Sequence, residues 1–197
     1  MTKAVIFDVG GVLIDNPWPG MVKHYTKHLK VSQAKFEEAY QNLVEKWQTG
    51  KLVETEFWAQ MTQLLKAELP ASEQLWLAGF KSTYREKNSV FKLIERLKKK
   101  GLKIALLSNT EVPVMEFLMD KKYKHFDVFV YSCQEKVAKP NKRIYIETVN
   151  RLDVKPEEAI FIDDKDENVK GAQRAGLTGI KFQNPEQLEE VLETLLQ

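Results

Sequence analysis

Residues 4–15 read AVIFDVGGVLID. Four apolar residues, Ala4 to Phe7, run into a carboxylate, Asp8, and two glycines follow within three positions. A continuous apolar run is the pattern of a strand covered on both faces, as in a parallel sheet. In an open parallel sheet, ligands bind outside the carboxyl ends of the strands, so a charge placed just after such a run is a candidate site residue.

Four further runs share the pattern: Ile104 to Leu107, Val128 to Tyr131, Ala159 to Ile162 and Gly179 to Phe182. Helical spacing fills the intervals, at Ser89 to Lys100, Pro113 to Lys121, Asn141 to Arg151 and Asn168 to Ala175. This rhythm predicts a doubly wound α/β fold around a five-stranded parallel sheet. The interval from Asn16 to Ser89 is too long for a crossover. Its patterns are all helical: Pro19 to Leu29, Ser32 to Gln48, Glu54 to Glu68 and Ser72 to Tyr84, with Ser32 and Ser72 as N-caps and Gly50 and Pro70 at ends. The expected organisation is an α/β core over 1–15 and 89–197 with an inserted helical cap over 16–88.

Composition narrows the class. In 197 residues, 43% are hydrophobic and 29% charged with a net charge of +2, which suits a globular protein and gives no sign of a nucleic-acid binder. The cluster Lys98, Lys99 and Lys100 reads as a helix C-terminus capped by Gly101. One cysteine, Cys133, excludes an internal disulfide framework and a multi-cysteine zinc site. The first apolar run is broken too early for a signal peptide, and no run has the length of a membrane span, so the expected location is cytoplasmic.

The residues after the strands make a coherent set: Asp8, then Ser108 and Asn109, then Lys139, then Asp163 with Asp164. Converging carboxylates repel one another unless a cation lies between them, and hard oxygen donors suit magnesium. Lysine and hydroxyl then face the anion that the metal attracts. Phosphate fits, with Asp8 as a carboxylate nucleophile. Taken singly, Asp8 reads equally well as an Asx-turn residue and Asp163 and Asp164 as helix caps; agreement across four strand ends favours the functional reading.

FDVGGVLID at 7–15, LLSNT at 106–110, VAKPNKRIY at 137–145 and FIDDKDENVKGAQRAG at 161–176 resemble, in order and across the whole chain, the motifs of the haloacid dehalogenase (HAD) superfamily. The resemblance implies a Rossmann-like core with a small helical cap, magnesium as cofactor, Asp8 as nucleophile, and metal ligands in Asp8, the Gly10 carbonyl and Asp164. It further implies that Ser108, Asn109 and Lys139 bind the phosphoryl group, Lys139 also counting among the catalytic residues, and that Asp163 assists through water or by orienting a neighbour. A small phosphorylated metabolite, such as a sugar phosphate, is the expected partner, with neither nucleic acid nor membrane, and with the chain a monomer or homodimer.

One position departs from the phosphatase pattern: Gly10 stands where a second aspartate usually protonates the leaving oxygen. A general acid is typically worth about 10² to 10⁴ in rate. A catalytically weak metal- and phosphate-binding protein is therefore one alternative to a phosphatase. Another is a 2-haloacid dehalogenase, which the resemblance implies would use an aspartate nucleophile without magnesium; the pair Asp163 and Asp164 argues against it. A phosphoacceptor receiver domain has similar ingredients in a different order and no cap. Substitute acids near the cap entrance are Asp15, which reads better as a solvated turn residue, and His24 and His28, which read better as a surface pair. The aromatics Trp47, Phe57, Trp58, Trp76 and Phe80 are expected in the cap's own core, with Trp18, at the hinge, the one placed to reach a substrate.

Overall fold

The computed structural model describes residues 1–68 and 74–196. The expected cap at Ser72 and the stop at Pro70 lie outside the described residues. Five strands form one all-parallel sheet in the order β3-β2-β1-β4-β5: β1 Ala4–Phe7, β2 Lys103–Ser108, β3 Val128–Tyr131, β4 Ala159–Asp163 and β5 Thr178–Lys181. Alternate residues face opposite layers. Val5, Phe7, Ile104, Leu106, Ile160 and Ile162 belong to one apolar cluster, and Ala4, Ile6, Ala105, Leu107 and Phe161 to the other. That two-sided burial is why the strands read as unbroken hydrophobic runs.

The chain leaves β1 into a module that, among the described residues, holds five helices: α1 Trp18–Leu29, α2 Gln33–Gln41, α3 Val44–Gln48, α4 Glu54–Leu65 and α5 Leu75–Thr83. The outgoing and returning segments pair with each other. Asp15 donates its N–H to Arg85 O (2.9 Å), Lys87 donates to Leu13 O (2.8 Å), and Ile14 bridges Glu86 in antiparallel fashion. The helix expected over Ser32 to Gln48 is in fact two, α2 and α3, divided at Asn42 and Leu43. The break lets Trp47 turn inward, where its ring stacks on Phe57 at 4.6 Å. Ser32 caps α2, accepting from Lys35 N–H at 3.4 Å. Tyr25, Phe36, Trp47, Phe57 and Trp76 are each 1% exposed or less and fill the module, with Tyr25 stacked on Trp76 at 4.9 Å. Each such aromatic contact is worth about 0.5–1.5 kcal/mol beyond its area burial.

The remaining helices are α6 Asn88–Lys99, α7 Val112–Asp120, α8 Ser132–Glu135, α9 Lys142–Arg151, α10 Asp166–Arg174 and α11 Pro185–Leu195. Two of these, α8 and α11, were not anticipated. The first is a single turn with too few residues to show a period. The second begins at Pro185, a favoured first-turn position, with Asn184 as N-cap.

Polar contacts tie the module to the sheet's carboxyl edge. Ser132 Oγ, on α8, donates to Gln48 O at 2.6 Å and accepts from Thr110 N–H at 2.9 Å, and Lys136 Nζ donates to Gly50 O at 3.0 Å.

Candidate active site

The register of the central strands assembles the site. Phe7 is level with Leu106 on β2 and with Ile162 on β4. Asp8 therefore emerges beside Leu107 and Asp163, where strand order changes direction, and its N–H is fixed by Ile162 O at 2.9 Å. Lys139 fills the gap between them. Its ammonium lies 2.5 Å from Asp8 Oδ1 and 2.7 Å from Asp163 Oδ2, and it also donates to Leu107 O at 3.1 Å.

Each member is held by a second set of contacts. Asp163 is wholly buried and accepts from Asn168 Nδ2 on both oxygens (3.1 and 3.0 Å) and from Lys165 N–H at 2.8 Å. Asn168 sits on α10 and was not singled out from the sequence, where an asparagine in a helix carries no special signal. The Asn109 side chain makes a reciprocal pair with the Lys139 backbone: Nδ2 donates to Lys139 O at 2.9 Å and Oδ1 accepts from Lys139 N–H at 2.8 Å. In this arrangement the amide braces the lysine loop. Gly171 completes the support, because a Cβ there would lie 2.8 Å from Pro140 Cβ and O; glycine lets α10 pack against the residue after Lys139.

Electrostatically the cluster is short of positive charge. Oxygens of Asp8, Asp163 and Asp164 come within 4.8 Å of one another. Burial pushes the Asp8 carboxyl up to about 7, Lys139 draws it back, and Asp163 and Asp164 add to the rise. Asp164 is likewise raised, first by burial and then by Asp163. Burial lowers the pKa of Lys139, but Asp163 and Asp8 outweigh it and hold the ammonium's pKa above its ordinary value.

These donors fit a hard divalent cation. Asp164 Oδ1 is buried without a hydrogen-bond partner, which is costly for a carboxylate unless a cation takes it up. In the turn after β1, Val9 O accepts from Val12, Leu13 and Ile14 and Ile14 O from Gly11, whereas Gly10 O accepts no hydrogen bond among the described residues. Gly11 has φ +89°, and a Cβ on it would stand 2.4 Å from Asp164 Oδ2. Glycine is what allows the turn to come this close to the acidic group.

The site opens into a cleft of about 380 Å³ between the sheet edge and the helical module. Asp8, Gly10, Ser108, Asn109, Lys139 and Asp164 line one end; Trp18, Met21, Tyr40, Trp76 and Phe80 line the other. Trp18 reaches the cleft as expected, packed on Tyr40 at 4.4 Å. Tyr40, Trp76 and Phe80 are both module core and cleft wall. The proposed substitute acids are elsewhere. Asp15 is exposed and pairs with Lys87 at 3.1 Å, and the rings of His24 and His28 lie against each other at 4.2 Å, outside the cleft lining. Among the cleft residues that escaped the sequence reading is Glu111, which is 5% exposed and accepts from Trp76 Nε1 at 3.1 Å. In sequence it looks like an ordinary acidic residue at a helix start.

A family profile described as haloacid dehalogenase-like hydrolase matches residues 2–176, and the chain belongs to that family. It is 29% identical to the "Acyl-CoA dehydrogenase family member 10" of Mus musculus over 98% of its own length, and spans 19% of that protein. It is also 29% identical to a sesquiterpene phosphatase of Aspergillus oryzae, covering 90% of this chain and 88% of the relative. A HAD-family enzyme of Bacteroides thetaiotaomicron, in complex with magnesium and inorganic phosphate, superposes with a TM-score of 0.74 at 21% identity, over 93% of this chain and 95% of that one. At that identity the likeness is one of fold. The family match makes the chain a haloacid dehalogenase-like hydrolase, and relatives that it resembles are named as phosphatases.

Proposed function

We propose that the chain is a magnesium-dependent phosphomonoesterase that forms an aspartyl-phosphate on Asp8 and acts on a small phosphorylated metabolite. The observation that carries this reading is the contact of Asp8 with Lys139 beside Asp164, whose buried oxygen lacks a partner. Asp8 Oδ attacks phosphorus, the leaving oxygen departs with its bonding pair, and water then attacks the phosphorus of the aspartyl-phosphate, releasing phosphate and regenerating the carboxylate. Magnesium, when bound by Asp8, Gly10 O and Asp164, supplies charge neutralisation at the phosphoryl oxygens.

Lys139 lowers the cost of ionising Asp8 and aims it, its positive charge faces the equatorial oxygens, and Ser108 offers them a donor. Asp163 holds the ammonium between the carboxylates. The helical module closes over the leaving group as a cap.

Gly10 leaves the departing oxygen without an adjacent acid. Leaving groups that need little protonation, such as aryl, acyl and anomeric sugar phosphates, are therefore the preferred class. The same residue favours the second reading, a metal- and phosphate-binding protein without turnover. An assay with para-nitrophenyl phosphate separates them. The phosphatase reading expects hydrolysis in magnesium that is lost in EDTA and in Asp8→Asn. No release of phosphate, or release that survives the substitution, overturns it.

A further inference from the structure

The cleft is divided in charge. Among the described residues that line it, the cations are Lys139 and Lys165, both at the phosphoryl end: Lys139 is engaged by Asp8 and Asp163, and Lys165 directly follows Asp164. The other end is walled by Trp18, Tyr40, Trp76 and Phe80, with Glu111 set among them. Glu111 precedes α7 by one residue and lies three positions beyond Ser108, on the same loop, and it lines the cleft together with the module's aromatics. Its Oε2 is held by Trp76 of the module, and a second polar pair, Gln48 Nε2 to Tyr40 OH at 3.4 Å, lies close by and favours its ionised form against the effect of burial.

On the footing of the phosphatase reading, we infer that this end of the cleft accepts an uncharged, hydroxyl-bearing leaving group and rejects one with a second negative charge, and that Glu111 makes the discrimination. A hydroxyl can donate to the Glu111 carboxylate or accept from its acid form, which replaces the water that the cleft must give up. An anion in the same place finds no cation and lies beside a buried carboxyl. Unpaired like charges in a desolvated pocket are an effective means of excluding the wrong ligand. Burial pushes Glu111 up to about 7, so the group is ionised in part near neutrality and supplies that repulsion.

The test compares two aryl esters of similar leaving ability, 4-(hydroxymethyl)phenyl phosphate and 4-carboxyphenyl phosphate, with magnesium, on the full chain and on Glu111→Gln. The full chain is expected to favour the uncharged ester about tenfold or more in kcat/KM, equivalent to about 1.4 kcal/mol, with the difference in KM. In Glu111→Gln the preference should shrink to about threefold or less. Each ratio is taken within one protein, so a loss of folded material scales both esters alike. Equal use of the two esters by the full chain, or an unchanged ratio in Glu111→Gln, overturns the inference while leaving the phosphatase reading intact. Hydrolysis of neither ester, or hydrolysis that survives Asp8→Asn, overturns both.

Discussion

The Lys139 ammonium lies 2.7 Å from Asp163, a carboxylate with no exposure to solvent, and the same nitrogen reaches Asp8 at 2.5 Å. One cation thus serves two buried anions drawn from different strand ends. Removing one partner of a buried pair is far costlier than the net worth of the pair, because the charge left behind is uncompensated.

Lys139→Met is accordingly expected to destabilise the fold by about 3–5 kcal/mol at neutral pH. Urea unfolding checks this. Adding Asp163→Asn to the same chain should recover part of the loss, since one stranded carboxylate is removed. A cost below about 1 kcal/mol would mean that the triad is hydrated and weakly coupled.

Gly11→Ala probes the acidic turn. A left-handed conformation costs a non-glycine residue about 1–2 kcal/mol, and the new methyl group must displace Asp164, whose Oδ2 would be 2.4 Å away. Magnesium affinity, measured by calorimetry on the protein without substrate, should fall about tenfold or more, equivalent to about 1.4 kcal/mol. Unchanged affinity would remove Asp164 from the ligand set.

Ser132→Ala breaks the tie between module and sheet. It deprives Gln48 O of its donor and the buried Thr110 N–H of its acceptor, at a cost of about 1–3 kcal/mol. Amide exchange at Thr110 should accelerate while β1 amides stay protected. Equal acceleration in both would show that module and core open as one unit.

Glu111 links stability to pH. Burial lifts its carboxyl from an ordinary 4.5 to about 7. Between those values the folded chain binds more protons than the unfolded one, so this contribution to stability is full below the lower value and is lost as pH rises through the upper one. The span corresponds to about 3 kcal/mol. Among the described residues, the titratable groups that face Glu111 are Tyr25, Tyr40 and Cys133, all raised above their ordinary values by burial and hence neutral across the window. Glu111→Gln should gain thermal stability relative to the unaltered chain as pH rises from 5 to 8. A constant gap between the two would contradict the assignment.

What was legible in the sequence follows from range of interaction. β1 and β3 were read to the residue because a strand buried on both faces is written as a local apolar run, and Asp8, Ser108, Lys139, Asp163 and Asp164 were legible because such a fold collects them at strand ends. The division of α2 from α3 was not legible, since it is set by where Trp47 finds Phe57, a tertiary contact. The bracing role of the Asn109 side chain was likewise hidden, because its partner is the backbone of Lys139, distant in sequence. Glu111 was invisible for the same reason: only the return of α5 over the loop places Trp76 against it and buries it.

The central claim, that Asp8 is the atom donor to phosphorus, is tested most directly by trapping the intermediate. The protein is mixed with para-nitrophenyl phosphate and magnesium, quenched in acid within one turnover, and digested for mass analysis of the peptide bearing Asp8. The account predicts a hydroxylamine-labile phosphoryl adduct on Asp8 that is absent in EDTA. Turnover under the same conditions with an unmodified Asp8, or with the adduct on another residue, would contradict it.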